Sequence, residues 1–271
     1  MKFVMDRAWE EAVGLLRGNA GLLAAIAGFL VFVPTVAIAL LLSPNDVKMD
    51  EDATLEQALD ILAAQFFDGG WTMIVSTILG GLASLAMVAM LRRERAPTVG
   101  QALSEAGRNL PVYLVAIAAE FALMAGLAFV LIILPLRLGS SGIAVLGMLA
   151  FLPILFYLII KFSLVVPAIV IDGIRNPIDV LRRSWHLTKG NSFRLALFFI
   201  LLGIAFVLIF SLISWIVSVL LALTSGEVET IGLALFEGAT ALVAAVVSAA
   251  LIVSIHAQLR RLQEREPADA G

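Results

Sequence analysis

The sequence predicts an all-α polytopic membrane protein: six transmembrane helices arranged as three hairpins, each preceded by an amphipathic helix on the cytoplasmic side. Three observations predict it. Six apolar stretches, each of at least 20 residues, run through the 271-residue chain, and one helix needs about 20 apolar residues to cross the ~30 Å hydrocarbon core of a bilayer. Hydrophobic residues make up 61% of the chain, charged residues 14%, and the mean hydropathy is +1.04. A soluble domain of this size has no core large enough to hide that much apolar surface. Finally, the basic residues are concentrated at the termini and in alternate connections between the stretches.

The spans read as 20–42, 71–91, 112–136, 142–168, 195–222 and 230–258. Turn or charge signals separate them. Ser43-Pro44-Asn45-Asp46 ends the first, and Arg92-Arg93-Glu94-Arg95 ends the second. Arg137 to Gly142 parts the third from the fourth, Asn176-Pro177 follows the fourth, and Thr224-Ser225-Gly226-Glu227 follows the fifth. Ala37-Ile38-Ala39 has the small residues of a leader cleavage site, but the apolar run continues past it to Leu42, so a retained first span is expected. Six spans put both termini on one side. With the N-terminus, segments 92–111 and 169–194 and the C-terminus in the cytoplasm, 15 of the 18 Lys and Arg residues lie there, as the positive-inside rule requires. A bacterial inner membrane with both termini cytoplasmic is the expected location. The loop at 46–68 is acidic, with Asp46, Asp50, Glu51, Asp52, Glu56, Asp60 and Asp68 against Lys48.

A unit of about 85 residues recurs three times, giving one transmembrane domain over 1–271 with repeats at 1–92, 93–171 and 172–262 and a short disordered tail at 263–271. The markers are Arg17-Gly18-Asn19, Gly107-Arg108-Asn109 and Lys189-Gly190-Asn191, with Asn-to-Asn spacings of 90 and 82. An amphipathic segment precedes each turn. Met5, Ala8, Trp9, Ala12 and Leu16 share one face of the first. Thr98-x-x-Gln101 forms a capping box for the second, whose face is Val99, Ala102, Leu103 and Ala106. Asn176 caps the third, with Pro177 at its first position, Ile178, Leu181 and Trp185 on one side and Arg182 and Arg183 on the other. Gly18 and Gly190 read as helix stops. Such helices lie in the membrane interface. A fourth is expected at 53–67, capped by Thr54-x-x-Gln57.

The most distinctive segment is Phe162-Ser163-Leu164-Val165-Val166-Pro167-Ala168-Ile169-Val170, followed by Asn176-Pro177-Ile178-Asp179-Val180-Leu181-Arg182-Arg183-Ser184-Trp185-His186-Leu187-Thr188-Lys189-Gly190-Asn191. It resembles the bacterial six-helix membrane domain that forms the membrane portion of some glycerophosphodiester phosphodiesterases and also occurs free-standing. The resemblance implies a membrane module. It does not carry over the enzymatic activity, because the chain leaves no room for the ~250-residue catalytic barrel.

Enzyme motifs are absent: there is no Gly-x-Ser-x-Gly, no phosphate-binding Gly-x-x-x-x-Gly-Lys-Ser/Thr loop and no His-Glu-x-x-His. Without cysteine there is no disulfide, thiol chemistry or Cys metal site. No metal, cofactor or nucleic-acid partner is implied; Asp172 and Asp179, seven apart around a proline, are too few for Mg²⁺. His186 and His256 read as interface residues. Charged residues inside spans each cost ~2.5–3.5 kcal/mol on insertion scales. Glu120 in span three and Lys161 in span four lie at comparable depth, so an intramembrane ion pair between them is expected. Pro34, Pro135, Pro153 and Pro167 are expected to kink their spans. Ser211, Ser214 and Ser218 share a face of span five and, with Glu237 of span six, are candidates for a polar lining.

The expected function is a non-enzymatic inner-membrane protein, a lipid-interacting or membrane-organising module whose partners are anionic phospholipids. Arg92, Arg93, Arg95, Arg182, Arg183 and Lys189 are the expected headgroup contacts. The alternative is a small-molecule transporter or channel-like carrier built on Glu120 and Lys161.

Overall fold

The computed structural model describes residues 2–41, 57, 61, 64, 69–92 and 97–265. Among them lie eight helices: α1 Met5–Leu41, α2 Gly70–Met90, α3 Val99–Arg137, α4 Ser141–Phe162, α5 Val165–Val170, α6 Pro177–Thr188, α7 Ser192–Leu221 and α8 Gly226–Arg265. Six stretches are long and apolar enough to cross a membrane, α4 and α5 together forming the fourth. The protein is an all-α, multi-pass membrane protein. The expected helix at 53–67 and the acidic loop fall mostly outside the described residues, as do Arg93 and Arg95.

Two of the three expected separate amphipathic helices are continuous with their spans. α1 runs straight through Arg17-Gly18-Asn19, and α3 runs through Gly107-Arg108-Asn109 and past Pro111. An interior glycine costs a helix only about 1 kcal/mol, and a long packed helix outweighs that. Asn19 spends its amide on the Leu15 carbonyl one turn back (2.9 Å) instead of ending the helix. Only the third turn breaks the chain, where Gly190 adopts φ +79 between α6 and α7, a left-handed conformation open to glycine. The caps form as expected: Thr98 and Gln101 complete a capping box, and Asn176 Oδ1 accepts from the Ile178 amide at 3.0 Å. α8 continues to Arg265, through the first three residues of the tail expected at 263–271; the rest of that tail lies outside the described residues.

Prolines shape two spans in the same way. Gly28–Phe32 in α1 and Phe129–Ile133 in α3 are π-helical, and Pro34 and Pro135 follow two residues later. A proline has no N–H for the carbonyl four residues back and collides with it, so the helix widens by one residue. For Pro135 that carbonyl is Leu131's, and it presses on Gly147 of α4, where a Cβ would overlap it. Pro153 sits inside an unbroken α4. Pro167 follows a true break, at Ser163-Leu164 between α4 and α5.

The most extensive packing is not within the three expected hairpins. α1 lies along α8, so the first and last spans close the bundle, and α2 packs on α3. Glycines permit the close contacts. Tyr113 of α3 fills the space a Cβ on Gly81 of α2 would take, and Gly238 of α8 receives Phe32 and Val36 of α1. Small residues allow such approach where lipid supplies no hydrophobic drive. The buried core is concentrated at the basic end, in residues 83–91, 164–170, 180–188 and 249–259 with Phe3, Ala8 and Ala12. α7 buries only Leu195 and Phe198 along its apolar length.

Candidate functional site

The basic end gathers polar side chains from elements far apart in sequence. Its hinge is the break between α4 and α5. Ser184 of α6 donates its hydroxyl hydrogen to the Lys161 carbonyl (2.7 Å) and accepts from the Leu164 amide (3.2 Å). One buried hydroxyl thus satisfies two backbone groups that the break would orphan. Lys161, only 3% exposed, lies 5.0 Å from the Trp185 ring centre and 5.4 Å from that of Tyr157. Desolvated cation–π contacts of this kind are worth up to about 2 kcal/mol.

This corrects the expected Glu120–Lys161 pair. Among the described residues no ion pair joins them, and the Glu120 Oε1 atom is buried without a hydrogen-bond partner. Instead, α6 inserts its tryptophan beside the ammonium. The polar lining is corrected too. Ser211 is exposed, Ser214 and Ser218 are half-buried on the outer helix α7, and Glu237 is exposed on α8. On α6 the stripe entering the bundle is Val180, Ser184, Leu187 and Thr188, while Ile178 and Trp185 of the expected apolar side stay exposed.

Asp172, just beyond α5, centres a second cluster. Arg183 Nε donates to its Oδ2 at 2.7 Å, and His256 Nε2 of α8 stands 3.2 Å from its Oδ1, off the line of the ring N–H. His256 is 1% exposed, a buried core residue instead of the expected interface one. Burial alone would raise the Asp172 pKa, but the contacts from His256 and Arg183 outweigh it and hold the carboxyl down at about 2. Arg183 also donates to Gln263, whose amide donates to the His186 carbonyl. Arg183 is therefore engaged within the protein, by Asp172 and Gln263. Arg92 is likewise engaged, donating both Nη atoms to Glu105 at 3.0 Å and one to the Val170 carbonyl. Arg182 and Lys189 remain exposed, Arg182 with only a 3.6 Å contact to Asp179.

The chain's beginning is clasped by the same end. Asn191 Oδ1 accepts from the Phe3 amide (2.9 Å), Arg194 donates to the Phe3 carbonyl (3.0 Å), and Gln258 bonds both the amide and carbonyl of Val4 (3.2 Å each). Phe3 is buried edge-on to Phe198. Arg261 pairs with Glu11 at 3.0 Å, tying α8 to α1.

Two openings adjoin this network. A polar groove of about 530 Å³ lies between the start of α3 and the α5–α6 link, with Arg92, Arg108 and Arg175 in its wall beside Ser104 and Asn109. A smaller pocket of about 290 Å³ lies between α2, the end of α5 and α8. Among the described residues no group of three His, Asp or Glu side chains stands close enough to hold a metal ion.

A family model described as Domain of unknown function (DUF7847) matches residues 5–259. The chain belongs to that family. The DUF7847 match takes in the whole Asp172–Arg183–His256 cluster. No curated protein and no solved structure matches the chain.

Proposed function

We propose that this DUF7847 protein is a non-enzymatic membrane module that engages anionic phospholipid headgroups at its basic end, in a bacterial inner membrane with both termini in the cytoplasm. The observation that carries the reading is the 530 Å³ groove, where Arg108 and Arg175 are exposed around a wall of Ser104, Asn109 and Gln101. Guanidinium groups meet phosphate with two parallel hydrogen bonds, and neutral polar side chains suit a glycerol or sugar hydroxyl. Arg182 and Lys189 add exposed charge nearby, worth about 1 kcal/mol each against an anionic leaflet. The Leu181–Gly190 motif supports kinship with the free-standing form of the phosphodiesterase membrane domain.

The test is lipid identification by mass spectrometry on gently extracted protein, beside an unrelated six-span control. Selective retention of one anionic phospholipid, lost in Arg108→Gln/Arg175→Gln, is the expected result. A bulk-like lipid composition overturns the proposal.

A further inference from the structure

α6 presents an outward face that the buried cluster does not use. Ile178, Arg182 and Trp185 recur on it at helical spacing and are all exposed, and Lys189 follows at the end of the helix. Where this face meets Phe162, the last residue of α4, a slot of about 210 Å³ opens. Phe162, Ile178, Leu181 and Trp185 give it an apolar wall, and the exposed Arg182 and His186 complete it. The Trp185 ring stands edge-on to Tyr157 and tilted against Phe162, each at 5.9 Å, so the slot is preformed.

The charge around the slot does not cancel. Lys161 lies 5.0 Å from the Trp185 ring centre, and among the described residues no carboxylate pairs with it. Lys189 is exposed and likewise has no ion pair among them. Arg182 has only Asp179, at 3.6 Å, which is too long for a hydrogen bond. These two side chains are 72% and 50% exposed, and such a pair contributes little. Three cations thus stand against one loosely held carboxylate. An apolar slot beside unbalanced positive charge fits an amphiphile with an anionic head. Free phosphate answers the charge but has nothing to place in the slot, and a neutral lipid fills the slot but leaves the charge unanswered.

We propose that this slot holds one acyl chain of an anionic glycerophospholipid, whose phosphate sits on Arg182. The proposal rests on the reading that the basic end meets the headgroups of the inner leaflet, and it names a site separate from the groove. A guanidinium takes a phosphate through two parallel hydrogen bonds. The chain packs on the Trp185 and Phe162 rings as it enters the bilayer along α4. Lys161, buried beneath the tryptophan, adds a charge that salt screens poorly.

Trp185 is its own reporter. Trp9, Trp71 and Trp215 are exposed, so replacing all three by Phe leaves a protein whose only tryptophan lines the slot. The experiment reconstitutes it into phosphatidylcholine vesicles that contain, at equal fraction, phosphatidylglycerol or phosphatidylcholine brominated near the head of one chain, since bromine quenches tryptophan on contact. Stronger quenching by the brominated phosphatidylglycerol is expected, a preference of about fivefold or more, as one basic side chain near an anionic headgroup gives. Arg182→Gln should remove about fivefold of that preference and Arg182→Lys should keep most of it, both with wild-type helix content and melting temperature. The groove variant Arg108→Gln/Arg175→Gln should leave it unchanged. Equal quenching by the two lipids overturns the proposal while the inner-leaflet placing stands. A preference that survives Arg182→Gln, or that the groove variant lowers as far, also overturns it, because the attraction is then one of general surface charge. No quenching by either lipid shows that α6 does not face the bilayer, and the placing of the basic end falls with the proposal.

Discussion

Replacing Asp172 by Asn tests whether the buried cluster holds the basic end together. The Asp172 carboxyl titrates at about 2 instead of the ordinary 3.8. Each unit is worth about 1.36 kcal/mol, so its charged form contributes about 2 kcal/mol to the folded state at neutral pH. Because the folded pKa lies below the unfolded one, the contribution is complete well above pH 4 and disappears as pH falls through 2. About half of it is already gone at pH 3. The carboxylate is only 10% exposed, so little of this is screened by solvent. The assay is reversible unfolding in mixed micelles at pH 7 and pH 3, followed by tryptophan fluorescence. Asp172→Asn is expected to be about 2 kcal/mol less stable at pH 7, and the gap to narrow by about half at pH 3. Equal stabilities at pH 7, or a gap that does not shrink on acidification, refute the reasoning.

Three further predictions concern packing and tethering. Gly147→Ala forces a methyl onto the Leu131 carbonyl and should cost about 1–3 kcal/mol, seen as a lower melting temperature. Gly126→Ala, which meets nothing within 4 Å, is the control expected to leave it unchanged or slightly higher, since alanine favours a helix interior over glycine. A double-mutant cycle with Lys161→Met and Trp185→Leu should give a coupling of about 1 kcal/mol; strictly additive losses would show that the ring and the ammonium do not interact. Gln258→Ala removes both bonds to Val4, so the Val4 amide should exchange with solvent markedly faster, and unchanged protection would count against the clasp.

The spans were legible because about 20 apolar residues in a row have few other uses, and the caps at Thr98 and Asn176 because capping is a local chemistry read within four residues. What sequence spacing did not reveal was partnership. Asp172 and His256 stand 84 positions apart, one in a link and one in a span, and no periodicity joins them. A signal did exist on α8, where Val253, His256, Ala257, Arg260, Arg261 and Glu264 form one stripe that turns from apolar to charged. The Glu120–Lys161 expectation failed for a related reason: matched depth on consecutive spans does not fix which face each residue occupies. Gly18 looked like a stop because it aligns with Gly190, yet of the two only Gly190 takes the left-handed backbone. A repeat in sequence is therefore not a repeat in breaks, and the third unit differs because α6 must cross beneath the α4–α5 gap.

That gap also explains the most distinctive motif. Arg183 holds Asp172, Ser184 bridges the broken backbone, Trp185 covers Lys161, Thr188 bonds back to the Ser184 carbonyl, and Asn191 grips Phe3. Sliding or rotating α6 would strip the Lys161 carbonyl and the Leu164 amide of their shared partner. A buried polar group without a partner costs roughly 1–3 kcal/mol by protein mutational data, and two would be lost together with the Asp172 contact. α6 is consequently locked, and so is the link at 171–176 that walls the groove. An occupant of the groove would meet preformed walls, so affinity would not be spent on ordering them. Rigidity and charge are concentrated at one end of the bundle, while the apolar remainder, α7 above all, is left to the lipid.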